Sequence, residues 1–177
     1  MLKKSPLEFY NKIQMVFQNP NESFNPRKTL GYAIGEPLRN RGLSSADVDA
    51  KVVELLEKVG LTSDFAQKYP HQVSGGQCQR AAIARALAVE PSILVCDEAT
   101  SALDVTVQKQ IIELLDSLRQ SKDLSIVFIC HNLALVQSFC DRVIVLYDGQ
   151  IVEEGEPDNI IMNPKAEYTR LLVDSIL

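Results

Sequence analysis

The sequence predicts an α/β protein with a parallel β-sheet, and two neighbouring stretches carry this prediction. In the first, Ser74-Gly75-Gly76-Gln77 precedes an alanine-rich run, so that bare backbone amides lie at a helix N-terminus, where they can hold an anion. In the second, the apolar run 92–96 ends abruptly in two carboxylates, Asp97 and Glu98. Parallel sheets of α/β proteins present metal-binding and acid–base groups at such strand ends.

The chain begins with a polar stretch, a short strand and a loop. Residues 1–11 are polar and show no pattern, whereas residues 12–17 alternate enough to predict a strand that runs into Gln18. Residues 19–28 are rich in Asn, Pro and Ser, a composition typical of a loop. Gln18 is therefore expected where a strand ends and a loop begins.

Two helices are predicted after this loop. Thr29 is a suitable N-cap for a helix over residues 30–39. Ser45 is predicted to cap a second helix, 46–59, in which apolar residues recur at helical spacing, and Gly60 is predicted to end it.

The second half of the chain continues the alternation of helices and strands. Asp104 is predicted to cap a helix through Arg119 that turns its apolar positions to the core. The run 124–130 is continuously apolar, which predicts a parallel strand covered on both faces, and His131 follows it directly. The remaining elements are a short helix at 133–139, two strands at 142–147 and 150–154 joined as a hairpin by Asp148-Gly149, and one or two small helices at 157–177.

Composition excludes several classes of protein. The 177 residues carry 18 basic and 23 acidic side chains and a formal charge of -5, without a block of like charge, so that nucleic acid is not the expected partner. No apolar run approaches the roughly 20 residues that cross a bilayer, and no secretory signal is visible. Cys78, Cys96, Cys130 and Cys140 lack metal-site spacing and are predicted to be free, buried thiols in a reducing compartment.

Five motifs, in order along the chain, resemble those of ABC-type ATPases. Ser74-Gly75-Gly76-Gln77 is similar to their signature motif, and the run from Ile93 to Glu98 resembles their Walker B strand with its catalytic glutamate. The other three are Gln18, which resembles the Q-loop glutamine, Ser101-Ala102-Leu103-Asp104, which resembles the D-loop, and His131, which resembles the switch histidine.

The resemblance implies a role for each of these residues in hydrolysing ATP with Mg²⁺. Asp97 is expected to hold the metal and Gln18 to complete its ligand shell, while Glu98 polarises the attacking water and His131 senses the γ-phosphate. Ser74, Gly75 and Gly76 are expected to bind the nucleotide held by the opposite subunit of a head-to-tail dimer. The resemblance also implies nucleotide binding by Gln18, Gln77 and Asp104.

The amino-acid sequence of the loop that begins at Gln18 narrows the resemblance to one branch of the family. Gln18-Asn19-Pro20, followed by the run 23–29, resembles the ATPase subunits of oligopeptide, dipeptide and nickel importers. The resemblance implies that the partners are transmembrane permease subunits and a second ABC ATPase subunit. It also implies a cytoplasmic protein, peripheral on the inner face of the cell membrane. The transported solute is not predicted.

One part of the family pattern is absent from these residues. The P-loop pattern Gly-x-x-x-x-Gly-Lys-Ser/Thr does not occur, so we expect a truncated P-loop NTPase core, without the P-loop strand and the N-terminal β-subdomain. The resemblance divides residues 1–177 of this partial domain into three parts. They are a helical subdomain at about 29–90, a core remnant at 12–18 and 91–155, and a C-terminal helical tail at 156–177.

The missing loop has consequences for activity and for association. We expect the chain alone to bind nucleotide weakly and to show negligible ATPase activity, because nothing in it cradles the β- and γ-phosphates. A sheet without that strand leaves edges and apolar faces exposed, which predicts self-association. Two functions remain open: the energy-coupling ATPase subunit of an importer, or a non-catalytic module that pairs with a complete ABC ATPase.

Overall fold

The computed structural model describes residues 6–121 and 124–175. The chain divides into two compact units, Met1–Ile129 and Cys130–Leu177. The first unit contains α1 (Pro6–Lys12), β1 (Ile13–Val16), α2 (Leu30–Asn40), α3 (Ser45–Lys58), α4 (Gly75–Leu87), β2 (Ile93–Asp97), α5 (Val105–Ser121) and β3 (Ser125–Ile129), with 3₁₀ turns at Pro20–Ser23, Ser63–Gln67 and Pro70–Gln72.

The strands of the first unit form a parallel sheet, as the sequence predicts, and their order in it is β1-β2-β3. Ile13, Ile93 and Ser125 lie in one row across the sheet. Across the sheet, β2 lies to one side of β1, and β3 lies on that same side of β2, so both connections step in the same direction. Because parallel crossovers are right-handed, both connections place their helices on the same face of the sheet.

The two faces of this sheet consequently differ. On one face Val16, Leu94 and Cys96 are fully buried. On the other face the side chains remain accessible, and Val127 and Ile129 of β3 are 49% and 48% exposed. The prediction that strand 124–130 is covered on both faces is therefore wrong, because a hydrophobic run does not report the direction of the crossovers.

Helices α2 and α3 pack closely through a glycine. A Cβ added at Gly35 would lie 2.6 Å from Cγ1 of Val48, a distance that real side chains do not tolerate. Leu30, Ile34 and Leu38 of α2 are buried in the same layer, together with Val52, Leu55 and Leu56 of α3. Gly35 costs α2 some intrinsic stability, and the close approach of the two helices explains its presence.

The N-cap of α2 is the predicted residue, whereas the N-cap of α3 differs from the prediction by one position. The Thr29 hydroxyl accepts a hydrogen bond from the Tyr32 amide at 3.2 Å, as predicted. The cap of α3 is Ser44 and not Ser45, since the Ser44 hydroxyl accepts from the Asp47 amide three residues on, at 3.2 Å. Gly60, with φ of 72°, ends that helix as predicted.

Two further expectations need correction. The stretch without a pattern at the N-terminus includes helix α1, since Pro6 at its first position is well suited to begin a helix. All four cysteines are free, but only Cys78 and Cys96 are buried, while Cys130 and Cys140 are partly accessible. Burial raises the pKa of Cys78 to about 11 and that of Cys96 to about 12, so these thiols are unreactive.

The second unit contains a hairpin with helices around it. Its elements are α6 (Leu133–Phe139), β4 (Val143–Tyr147), β5 (Gln150–Gly155), α7 (Pro157–Met162) and α8 (Glu167–Asp174). The two strands are antiparallel, and Asp148 and Gly149 join them with φ of 48° and 74°, which confirms the predicted hairpin. The tail forms two helices, as expected; residues 176 and 177 lie outside the described residues.

Glu153 of β5 anchors the last helix. Its carboxylate oxygens accept hydrogen bonds from the Lys165 and Ala166 amides, both at 2.9 Å, at the N-terminus of α8. The Ala166 amide, followed by the Lys165 amide, holds the pKa of Glu153 below its ordinary value of 4.5. Because the folded pKa is lowered, the carboxylate stabilises the helix above pH 4.5 and loses this effect as the pH falls through the lowered pKa.

We expect Glu153→Gln to speed amide hydrogen exchange in α8 at neutral pH. The acid-induced loosening of that helix should be weaker in the variant than in the wild type, because one titrating cap is gone. Glu154→Gln is the matched control, since Glu154 pairs with Arg142 at 3.0 Å on the surface and caps no helix. Equal exchange rates in α8 for the two variants would contradict this assignment.

Candidate active site

Three polar side chains, those of Gln18, Glu98 and Ser101, lie together at the carboxyl ends of β1 and β2. Gln18 follows β1, and its Nε2 donates a hydrogen bond of 2.7 Å to Oε2 of Glu98, which follows β2. The same Nε2 lies 3.3 Å from the hydroxyl oxygen of Ser101, and that hydroxyl donates to the Glu98 carbonyl at 3.0 Å. Residues that are 80 positions apart in sequence therefore converge at one edge of the sheet.

The backbone at Glu98 is strained. Its φ of 44° lies in the left-handed region, which non-glycine residues rarely adopt. The Glu98 amide donates to the Ile129 carbonyl at 2.9 Å, which holds this turn against the end of β3. Strained residues cluster at functional sites because the surrounding structure must hold them in place, so the conformation of Glu98 is an independent indication that this edge has a function.

The segment after Glu98 is fixed by side-chain hydrogen bonds. Thr100 is buried and its hydroxyl oxygen accepts from Nε2 of Gln108 at 3.1 Å. Asp104 accepts from the Val107 amide at 3.0 Å and so caps α5, which confirms the predicted cap. Its role toward a nucleotide stays a prediction.

The glycines of the 74–77 motif lie at the N-terminus of α4, as predicted. The Ser74 hydroxyl accepts from the Gln77 amide at 3.3 Å, and Oε1 of Gln77 accepts from the Ser74 amide at 2.9 Å, which forms a capping box. A Cβ added at Gly76 would lie 2.4 Å from Cγ1 of Val107, so this glycine is required where α4 meets α5. Ser74 and Gly75 are exposed, and the Gly75 amide at the helix start is available to an anion, whereas the Ser74 amide is used by the capping box.

His131 belongs to the second unit. It is exposed and directly precedes Asn132, whose side chain accepts from the Leu135 amide at 3.2 Å and caps α6. The switch role of His131 stays a prediction.

The donor set at the sheet edge fits Mg²⁺ bound together with phosphates. Asp97 and Glu98 offer carboxylate oxygens and Gln18 offers an amide oxygen, the hard ligands that Mg²⁺ prefers. Within the described residues, no group of three or more His, Cys, Asp and Glu side chains is arranged to hold a metal alone. Mg²⁺ usually takes one or two protein carboxylates and completes its shell with water and phosphate oxygens.

Sequence reasoning missed the role of Ser101. The residue was part of a motif, but its hydroxyl links the Gln18 side chain to the Glu98 backbone. A serine in a loop gives no signal of such a contact, because the contact depends on the fold of two distant strands.

Comparison with known families and sequences gives consistent matches. The family model described as "ABC transporter" matches residues 2–101. The oligopeptide transport ATP-binding protein OppF of Salmonella typhimurium is 47% identical over 171 residues, which cover 96% of this chain and 51% of that protein. A putative peptide import ATP-binding protein of Brucella abortus is 49% identical over 93% of this chain and 50% of its own length. The chain thus spans about half the length of these curated relatives.

Solved structures match the fold. One is cbiO1 from Clostridium perfringens, part of the ABC transporter complex cbiONQ, with a TM-score of 0.79 and 26% identity, over 89% of this chain and 62% of that one. Another is a dimeric ATP-binding cassette in a post-hydrolysis state with ADP and Pi, with a TM-score of 0.74 and 32% identity, over 88% of this chain and 68% of that one. The predicted α/β fold is confirmed.

Proposed function

Because the chain belongs to the ABC transporter family, we propose that it forms part of the ATP-hydrolysing subunit that drives an importer of peptides. The observation that carries this proposal is the hydrogen bond from Gln18 to Glu98 at the carboxyl edge of the sheet, next to Asp97. The names of the relatives, which are peptide and glutathione import ATP-binding proteins, support peptides as the solute class. Nickel is the second candidate solute, because the sequence of the Gln18 loop also resembles that of nickel importers.

The site residues divide the work of hydrolysis among them. When bound, Mg²⁺ would neutralise phosphate charge, and Asp97 and Gln18 are the residues that would hold it. Glu98 accepts a hydrogen bond from Gln18 and thereby keeps its carboxylate at the strand end, where it polarises the attacking water. His131 senses the γ-phosphate.

The signature end of α4 serves a nucleotide bound by another subunit. The start of α4 offers the Gly75 and Gly76 amides and the Ser74 hydroxyl, while Gln77 completes the capping box, and Asp104 lies before α5 on the neighbouring loop. The dimeric state of one structural relative supports this arrangement. The active assembly is then a head-to-tail pair bound to permease subunits on the inner face of the membrane. Within the described part of the chain, none of the helices has both the length and the apolar character to span a bilayer.

These 177 residues supply no cradle for the phosphates. They contain no Gly-Lys pair, and hence neither the lysine nor the amides of a P-loop. We therefore expect isothermal titration of the purified chain with MgATP to give no binding in the micromolar range. Micromolar or tighter binding of MgATP to the chain alone would contradict the proposal that these residues lack the phosphate-binding part of the site.

The alternative is that the chain is a non-catalytic module that completes the site of an intact ABC ATPase. The complete capping box at Ser74 favours it, because the part of the site that faces another subunit is fully formed. Mixed with a complete peptide-import relative, the chain should then raise ATP turnover. Ser74→Arg should abolish this gain, because the arginine blocks the amides at the helix start.

The control for this experiment is Ser45→Arg, which places the same side chain at the exposed first residue of α3. Equal loss of the gain in both variants, or no gain with the unmodified chain, would rule out the non-catalytic module.

A further inference from the structure

Arg85 joins helix α4 to the turn that follows Gln18. Its Nη1 donates to the Ser23 carbonyl at 2.6 Å and its Nη2 to the Ser23 hydroxyl at 3.0 Å. The guanidinium carbon lies 4.4 Å from the centre of the Phe24 ring, which is itself buried. The Ser23 hydroxyl in turn donates to the Pro20 carbonyl at 2.8 Å, so the whole 3₁₀ turn is tied to this one side chain.

Arg85 makes these contacts at a cost in solvation. Burial lowers the pKa of its guanidinium, although the group remains charged at neutral pH. Within the described residues, it makes no ion pair with a carboxylate, although the charge of Glu36 partly offsets the lowering of its pKa. Its direct contacts are a carbonyl, a hydroxyl and a ring. Burying Phe24 alone would attach the loop without this cost. The planar fork of arginine adds two directional contacts that fix where the turn lies.

Helix α4 connects this contact to the signature motif. The helix runs without interruption from Gly75 to Leu87, so Ser74 and Arg85 lie about 16 Å apart along one rigid rod. At the other end of the connection, the turn held by Arg85 begins two residues after Gln18, and Gln18 donates to Glu98.

We propose that Arg85 is a positioning residue that passes a displacement of the signature end of α4 to the side chain of Gln18. The meaning of this link for hydrolysis rests on the proposed function, whereas the link itself does not. In the assembled protein it would make the contact between Gln18 and Glu98 depend on what the signature motif binds.

A second route competes with this one. Gly76 touches Val107 of α5, Val107 donates to Asp104, and the same loop carries Ser101, which contacts Gln18. A displacement of α4 could reach Gln18 through α5 without using Arg85. The experiment must therefore separate the two routes.

A double-substitution cycle read by NMR makes the separation. The probe is the side-chain amide resonance of Gln18 in the 177-residue chain, because its Nε2 donates to Glu98. Gly76→Ala displaces the N-terminus of α4, since its Cβ cannot approach Val107 to 2.4 Å. We expect Gly76→Ala to shift the Gln18 resonance, and we expect this shift to disappear in the Arg85→Ala background.

Arg41→Ala is the matched control. Arg41 also donates to a backbone carbonyl, that of Val89 just after α4, at 3.1 Å, but it does not touch the turn after Gln18. The Gly76→Ala shift should persist in that background. Arg85→Lys should not restore the shift, because an ammonium keeps the charge but not the two-point contact.

Two outcomes overturn the proposal: a Gly76→Ala shift of the same size with and without Arg85, which assigns the route to α5, or no shift at all. If Arg85→Ala does not fold, Ser23→Ala replaces it. That change removes one of the two Arg85 hydrogen bonds and the hydrogen bond to the Pro20 carbonyl, and it should reduce the shift. No nucleotide is added, so a negative result would leave the proposed function standing, and failure of ATP hydrolysis would leave this link standing.

Discussion

Substitution of Glu98 by glutamine is expected to lower ATP turnover by ~10²- to 10⁴-fold, the range for removing a positioned general base. The measurement requires a chain that has a P-loop. A chimera is designed to supply one by fusing the part of Salmonella typhimurium OppF that precedes the 171-residue match ahead of the matched residues of this chain. Glutamine keeps the size of the side chain and an oxygen that can accept from Gln18, so the loss would reflect chemistry and not folding.

Glu113→Gln is the control for this substitution. Glu113 lies on the exposed side of α5, 3.9 Å from Lys109, away from the sheet edge, and its loss should leave turnover unchanged. An unchanged rate in Glu98→Gln would remove Glu98 from the mechanism. The same variant also separates the two proposed functions. If the chain only completes the site of an intact ATPase, Glu98→Gln is silent in the mixture and Ser74→Arg is not.

The sequence was sufficient for those parts of the site that depend on local order. Residues 74–77 open a helix because serine caps it and the glycines leave the amides bare, and both properties are local. Asp148-Gly149 requires positive φ at two successive residues, and only a few residue types accept it. Such features follow from the residue types, and the structure agrees with them.

Features that depend on two distant segments could not be predicted. Nothing near Glu98 indicates a positive φ, because that conformation is held by the Ile129 carbonyl across the sheet. Arg85 lies in an alanine-rich helix where an arginine is an ordinary helix former, and its partner Ser23 is 62 positions away. The choice of Ser44 over Ser45 as a cap depends on a shift of one residue, which periodicity does not resolve.

The exposed sheet face is expected to make the chain self-associate. The apolar residues that point to this face are Ile13, Met15, Ile93, Val95, Val127 and Ile129, with Phe17 just beyond β1. Parallel sheets are normally covered on both faces, and in this unit both crossovers fall on the opposite side. A second copy of the chain carries the same apolar face and can cover it, which predicts an oligomer in light scattering and sedimentation.

Val127→Lys tests this surface directly. Val127 is 49% exposed at the centre of β3, and a lysine there would place a charge in the contact. In a symmetric dimer each substitution acts twice, so a loss of about 1.4 kcal/mol per copy weakens association by ~100-fold. The control is Val105→Lys, which changes the same residue type where it is 81% exposed at the start of α5, off the sheet.

Comparison of the two lysine variants shows whether the exposed sheet face forms the contact between copies of the chain. A shift to smaller species in Val127→Lys alone locates the contact on the sheet, because general solubility would improve equally in Val105→Lys. A compact, stable monomer for the unmodified chain at all concentrations would contradict the prediction. The reason for expecting association is topological: no rearrangement of α4 and α5 that keeps right-handed crossovers moves either helix to the other face, so cover for that face must come from outside residues 13–129.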